Sequence, residues 1–447
     1  MAETRGANRS SRVPSGRVER LARLGVMAGG LAAGAVAEGA RRLMNGGEKI
    51  TPANLLLTER NARQLAKNLS RMRGAAMKLG QLISLEGDVS VPAEFADALT
   101  SLRSDSDMMP PAQLHRVLGR EYGHGWEKQF SHFGEVPVAS ASIGQVHRAV
   151  TRDGRELALK IQYPGVARSI GSDVDNLATL LRMSRILPAS VKIDPMVREV
   201  KRQLRHETDY LAEARSLSRY AALLGDDPMF RVPRVHEDLT TKRILAMDYL
   251  EGRPLQELWE GQYSRKIRDE VGTAMQRLVF RELFEFGFMQ SDPNFANYLF
   301  SPEDGSLILL DFGSAIELQP QLSDGYARLS IAVVENDRET IREVAIDFGL
   351  IREDEREDRV SALTDLVILC CEPLRARGSY DYGRSDLAAR ARDAALVLAF
   401  ELGLVRPPPP QAIFIHRKLG GTFLLCSRLG ARIDTSALFR EHLPRAA

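Results

Sequence analysis

Residues Met289–Asn297 read MQSDPNFAN, and residues Leu307–Gly313 read LILLDFG. Two carboxylates and an amide stand here in a fixed order: Asp292, then Asn297, then Asp311 directly after an apolar run. Mg²⁺ takes hard oxygen ligands in octahedral geometry and is held through one or two carboxylates together with phosphate oxygens. Asn297 and Asp311 are therefore the expected metal ligands. Asp292, on the same loop, stands where an acceptor is needed for the proton of an incoming hydroxyl or water. Ahead of the loop, Val271, Met275, Leu278, Val279 and Leu283 trace one helix face until Gly287, which is placed as a C-terminal cap. Leu307–Leu310 reads as a buried strand.

The D-x-x-x-x-N spacing, followed by a strand and a DFG tripeptide, is that of the protein-kinase fold. Such a fold needs a strand lysine for the α and β phosphates and a helix glutamate to hold that lysine. Lys160 in LALKIQ fits the first role, because an apolar strand gains nothing structural from a lone ammonium. Glu207 and Glu213, in HETDYLAEA, are both candidates for the second, and Glu213 is preferred. The glycine-rich phosphate loop is missing. In its place stands PVASASIGQV, so the nucleotide is expected to meet Ala139, Ser140, Ala141 and Ser142. The alanine Cβ atoms restrict positive φ and close approach of backbone amides to phosphate. The strand-like run Arg243–Met247 leads into DYLEG, and Met247 and Tyr249 are candidate nucleotide contacts. No APE-like motif follows Asp311, which argues against a peptide-binding platform.

Composition sets wider bounds. The 447 residues are 44% hydrophobic, enough for a large domain or two lobes with real cores. Lys plus Arg number 61 against 59 for Asp plus Glu, so a net charge of +2 implies no bias toward nucleic acid. Three cysteines, Cys370, Cys371 and Cys426, offer neither a disulfide framework nor metal-site spacing, and buried inert thiols in a reducing compartment are expected. A leader covers residues 1–50. Its Leu24–Ala37 stretch, LGVMAGGLAAGAVA, carries G-x-x-x-G spacings behind Arg5, Arg9, Arg12, Arg17 and Arg20. It is either a segment that associates with an anionic membrane surface or a flexible leader that touches nothing. Leu65, Leu69, Met72, Ala76, Leu79 and Ile83 then mark a long helix, with Lys78 and Gln81 on another face. Pro110-Pro111 breaks the chain before a further helix, and everything beyond Leu322 reads as helices interrupted by Pro407–Pro410.

Taken together these residues resemble the UbiB/AarF family of atypical kinases, in its mitochondrial coenzyme Q kinase-like branch. Lys78, Gly80 and Gln81 match a K-x-G-Q signature. Ala139–Ser142, followed by Ile143–His147, match an alanine-rich loop, and LALKIQYPGV, ending at Val166, matches the lysine strand. Glu207 and Asp209 match an E-x-D motif, with Glu213 in the ion-pair position. MQSDPNFAN and the stretch HRKLGGTFLLCSRLGA, from His416 to Ala431, are similar to the same branch. Gln290 and Ser291 stand where ordinary kinases have His-Arg.

The resemblance implies an α+β, two-lobed protein-kinase-like fold with an N-terminal helical extension and a mostly helical C-lobe. It divides the chain into the leader at 1–50, the extension at 51–130, an N-lobe and hinge at 131–252, and a C-lobe at 253–447. It implies ATP and Mg²⁺ as cofactors and a catalytic set of Asp292, Lys160, Glu213, Lys78, Gln81 and Glu207, with the K-x-G-Q helix lying over the phosphates and blocking a protein substrate. The implied role is an atypical kinase or ATPase that supports ubiquinone biosynthesis. Its implied partners are a lipid or ubiquinone-precursor small molecule, a membrane and other ubiquinone-biosynthesis enzymes, with no nucleic acid. The cytoplasmic face of a bacterial inner membrane is the expected location, with an organelle inner membrane as the alternative. A protein serine/threonine kinase and an ATP-gated scaffold with negligible turnover are the competing readings.

Overall fold

The computed structural model describes residues 108–184, 193–261, 263–404, 406 and 408–443. The leader, and the helix expected to carry Lys78 and Gln81, lie outside the described residues. The chain forms two compact units. Among the described residues, one takes 108–215 together with Val235–Tyr249, and the other takes Ser216–Arg234 with 250–443.

In the first unit, α1 (Pro111–Glu121) starts on a proline whose missing N–H costs a helix nothing in its first turn. The strands β1 (Phe130–Phe133), β2 (Ala139–Ala141), β3 (Gly144–Thr151) and β4 (Glu156–Gln162) follow. Then come the helices α2 (Val166–Ser184), α3 (Ile193–Glu207) and α4 (Tyr210–Leu224), the last of which belongs to the second unit from Ser216 on. Next are β5 (Phe230–Arg231), which belongs to the second unit, and β6 (Ile244–Asp248). The sheet runs β1-β3-β4-β6 with β2 on the free part of β3, and every pairing is antiparallel. Six of the seven β4 residues are buried, because the strand is central and covered on both faces. Leu157, Leu159 and Ile161 of β4 share one core with Leu114, Val117 and Leu118 of α1 and with Trp126 and Phe130. Each such side chain contributes about 1.5–3 kcal/mol of burial. At the β2–β3 turn, a methyl on Gly144 would come within 2.4 Å of the Ile161 carbonyl oxygen, so this close pass of β3 against β4 requires glycine.

The second unit opens with β7 (Arg253–Pro254) and α5 (Arg265–Phe280), whose N-cap Ser264 accepts from the Ile267 amide. The helix widens into a π turn over Arg281–Phe286 and ends at Gly287 in the left-handed region, φ 56°. The strands β8 (Phe288–Gln290), β9 (Tyr298–Phe300), β10 (Leu307–Leu309) and β11 (Ala315–Glu317) come next. They form the sheets β5-β10-β9-β7 and β11-β8. The remainder is helical: α6 (Pro320–Glu335), α7 (Arg338–Asp347), α8 (Glu357–Cys370), α9 (Glu372–Arg375), α10 (Leu387–Leu396), α11 (Pro410–Leu429) and α12 (Thr435–His442).

Two expectations need correcting. The region beyond Leu322 also holds a short antiparallel pair, β12 (Tyr380–Asp381) with β13 (Arg432–Ile433), tied by Arg432 to Asp381 at 2.8 Å. Two-residue strands are too short to show an alternating pattern in sequence. Of the three thiols only Cys426 is buried, while Cys370 is exposed and Cys371 half-buried, because they lie where α8 ends and the chain turns. All three are free.

His147 is fully buried in β3. Its Nδ1–H donates to the Gly134 carbonyl at 2.7 Å, which leaves Nε2 to accept from the Gln145 amide at 2.7 Å. Burial holds its pKa below the ordinary 6.5, against the smaller opposing pull of the Gly134 carbonyl. The unfolded chain therefore takes up this proton first as pH falls, and stability is lost on going below about pH 6.5. The thermal midpoint should hold above about pH 7 and decline below about 6.5, and His147→Gln should start lower and decline less. Thermal denaturation across this range checks it.

Candidate active site

In the first unit the candidate residues gather around Lys160. The β4 register pairs Lys160 with Val146 on one side and Leu245 on the other, so its ammonium emerges from the middle of an apolar sheet. There Nζ meets Glu213 Oε1 at 2.6 Å, with the two side chains 8% and 2% exposed, and it also faces the Tyr210 ring at 5.4 Å. Glu213 lies in the first turn of α4, whose N-terminus is organised by Asp209. The Asp209 carboxylate accepts from the Ala212 amide and its carbonyl from the Glu213 amide, both at 3.0 Å. The break at Thr208–Asp209 puts Glu207 on α3 and Glu213 on α4, so their six-residue spacing does not force them onto one face. Glu207 instead accepts from Ser142 Oγ at 2.5 Å. This fixes Ser142, where the chain turns after β2; the stretch expected as a loop is a strand up to Ala141, with Ala139 and Ser140 exposed because it pairs only with β3. Met247 is buried in the sheet opposite Ala158, and the Tyr249 ring lies under the Arg148 guanidinium at 4.5 Å.

In the second unit the strand register brings the oxygen donors together. Leu309 pairs with Tyr298, which places Asn297 beside Leu310, and the Leu310 amide donates to the Asn297 carbonyl at 3.0 Å. Asp311 follows immediately. Its Oδ1 accepts from the Gly313 amide at 2.9 Å. On the other side, Ala315 of β11 pairs with Gln290 of β8, so Asp292 leaves β8 toward the same place. The Asn294 side chain caps the turn that delivers Asn297, and Asn297 Nδ2 donates to the Asp292 carbonyl at 3.4 Å.

Behind this loop lies a buried polar network. Gln290 Nε2 donates to the carbonyls of Asp292, at 2.9 Å, and Asp311, at 3.2 Å. Gln290 Oε1 accepts from the Tyr298 hydroxyl at 3.1 Å and from Lys418 Nζ at 3.4 Å. Lys418 and Glu282 form a salt bridge at 3.0 Å with 1% and 0% exposure. Glu282 also accepts from the Tyr220 hydroxyl at 2.6 Å and the Gln290 amide at 3.0 Å. Burial alone would lower the Lys418 pKa, but Glu282 and Tyr298 outweigh it and hold the ammonium above its ordinary value. Glu282, Tyr298 and Lys418 were not singled out from sequence as site residues. Lys418 left a signal: it falls on the apolar stripe of α11 with Ile415, Thr422 and Leu425, where a lysine has no use unless something buried receives it.

An ion-paired strand lysine in one unit, and an Asp-loop-Asn with a following Asp in the other, define a kinase-like phosphotransfer protein. Residues 101–345 match the ABC1 atypical kinase-like domain, and the chain belongs to that family of phosphotransferases. It is similar to "Atypical kinase COQ8B, mitochondrial" of Rattus norvegicus, 39% identical over 97% of this chain and 82% of the relative. It is also similar to "Atypical kinase COQ8, mitochondrial" of Saccharomyces cerevisiae, 34% identical over 98% and 87%. Among solved structures, the Rv3197–erythromycin complex from Mycobacterium tuberculosis superposes with a TM-score of 0.60 at 26% identity. That superposition covers 86% of this chain and 96% of the other. The α+β kinase-like architecture expected from sequence is the one found.

The Lys160–Glu213 pair is nearly dry, so removing one partner strands a buried charge. Lys160→Met should cost about 3–5 kcal/mol, and adding Glu213→Leu should return most of the loss. Denaturant unfolding of the single and double variants checks this; additive losses would contradict it.

Proposed function

We propose that this chain binds MgATP and hydrolyses it or transfers its terminal phosphoryl group, and that this activity supports ubiquinone biosynthesis at a membrane, acting on or under the control of a lipid or ubiquinone-precursor small molecule. The observation that supports this reading is the register Tyr298 to Leu309, which brings Asn297 and the residue before Asp311 together at the open end of one hairpin, where both Asn297 and Asp311 line one small cavity. The all-oxygen donor set of Asn297 and Asp311 suits Mg²⁺. When bound, MgATP supplies the phosphoryl group and a cation that neutralises charge on its oxygens. Asn297 and Asp311 would hold the cation, and Lys160, steadied by Glu213, would meet the α and β phosphates. Asp292 would accept the proton of the attacking hydroxyl or water. Ala139, Ser140, Ala141, Ser142, Met247 and Tyr249 are proposed nucleotide contacts, with Lys78, Gln81 and Glu207 serving near the phosphates. The functional division proposed is a leader at 1–50, an extension at 51–130, and kinase-like parts at 131–252 and 253–447.

A small-molecule or lipid acceptor is favoured over a protein by the short path after Asp311. Only residues 312–319 separate it from α6, and three of them form β11, which leaves little chain for an activation segment or peptide platform. The relatives' names place those proteins in mitochondria. For this chain we propose the cytoplasmic face of a bacterial inner membrane, with an organelle inner membrane as the alternative. Among the described residues no helix is long and apolar enough to cross a membrane.

MgATP should raise the thermal midpoint of the wild type and of Asp292→Asn but leave Asp311→Asn unmoved; normal stabilisation of Asp311→Asn would remove the metal assignment. Phosphate release, measured with and without vesicles of anionic lipid, should be stimulated by the vesicles and lost in Asp292→Asn. Nucleotide binding without release under any condition would favour the scaffold reading.

A further inference from the structure

The stretch HRKLGG, within α11, lies more than a hundred residues beyond the loop that carries Asp292, yet two of its side-chain positions act on that loop. Lys418 reaches it from behind through Gln290, whose amide holds the carbonyls of Asp292 and Asp311 at once. Gly421, one helical turn further along the same face, is where α11 meets Pro293, the residue after Asp292. A methyl built on Gly421 would come within 2.1 Å of Pro293 Cβ and 2.7 Å of its Cγ. Gly420, its neighbour, has nothing within 4 Å of the corresponding position. Adjacent glycines of one helix thus differ completely: one is required by a contact with the loop and the other faces open space.

We propose that α11 is a buttress for the catalytic loop, with Lys418 and Gly421 as positioning residues that set where Asp292 stands. This rests on the phosphotransfer reading of Asp292. The polar side of the buttress is fixed by a dry ion pair, in which Lys418 is held by Glu282 while its remaining donors go to Gln290 and Tyr298. The apolar side is fixed by helix backbone against a proline ring. Neither the ring nor the helix backbone is a flexible group that can swing aside, so a methyl at 421 must move Pro293, and Asp292 with it. Displacement of a catalytic group by about 1 Å is enough to cost about a hundredfold in rate.

The test compares Gly421→Ala with Gly420→Ala in the full chain. Both changes favour the helix intrinsically, so loss of helix cannot explain a difference between them. Gly421→Ala should lower kcat for MgATP hydrolysis about a hundredfold with KM for MgATP nearly unchanged, and should speed hydrogen exchange at the amides of residues 291–298. Gly420→Ala should do neither. In a Pro293→Gly background, where the ring is gone, Gly421→Ala should have little further effect, and this also covers the case in which the single variant folds poorly. On the polar side, Lys418→Met should speed exchange at the same amides and Lys418→Arg should restore part of the protection. Equal kcat and equal exchange for the two alanine variants would overturn the buttress. If the wild type releases no phosphate at all, the phosphotransfer reading falls, while the exchange comparison still decides whether α11 holds the loop.

Discussion

Lys418 and Glu282 face each other with almost no water between them and their surroundings, and the arrangement of the second unit depends on that pair. A dry ion pair is tolerable when further hydrogen bonds offset its desolvation. Here Glu282 Oε1 accepts from the Tyr220 hydroxyl and the Gln290 amide while Oε2 faces the Lys418 ammonium at 3.0 Å, and the ammonium's other donors go to Gln290 and Tyr298. The π turn at Arg281–Phe286 carries Glu282 into this position before the chain reverses at Gly287. Widened turns of this kind recur at functional sites. Gln290 then converts the network into backbone geometry, because one side-chain amide ties together the two carbonyls on which the loop and the DFG segment hang.

The first unit solves a similar problem on a smaller scale. Its buried lysine is paired with Glu213, and the tyrosine ring beneath the ammonium supplies another favourable face. The alanine-containing turn is held from the other direction by Glu207 through Ser142. Two glutamates that are close in sequence thus serve different strands because a helix break separates them. The run from Asp311 to α6 is short, residues 312–319, and three of these residues form β11.

Much of the fold was legible in the sequence, and the residues proposed to carry the chemistry sit in short local patterns. Lys160 is conspicuous inside LALKI, and Asp292, Asn297 and Asp311 keep a spacing set by one loop and one strand. Lys418 and Gly421 were quoted within HRKLGGTFLLCSRLGA but given no role, because what they touch is tertiary. The partners of Lys418 lie 120 to 136 positions away, and nothing local distinguishes Gly421 from Gly420. The β12–β13 pair was invisible because two residues carry no period. The exposure of Cys370 depends on where α8 ends, and helix ends are the part of a pattern that periodicity fixes least.

The most direct measurement of the central claim is paramagnetic broadening of backbone amide resonances by Mn²⁺ bound together with a non-hydrolysable ATP analogue. Broadening at Asn297, Leu310, Asp311 and Gly313, absent at β12 and β13 and absent without the nucleotide, is the expected result. Nucleotide-dependent broadening elsewhere in the chain, with these four amides unaffected, would contradict the assignment of Asn297 and Asp311 as the metal-nucleotide site.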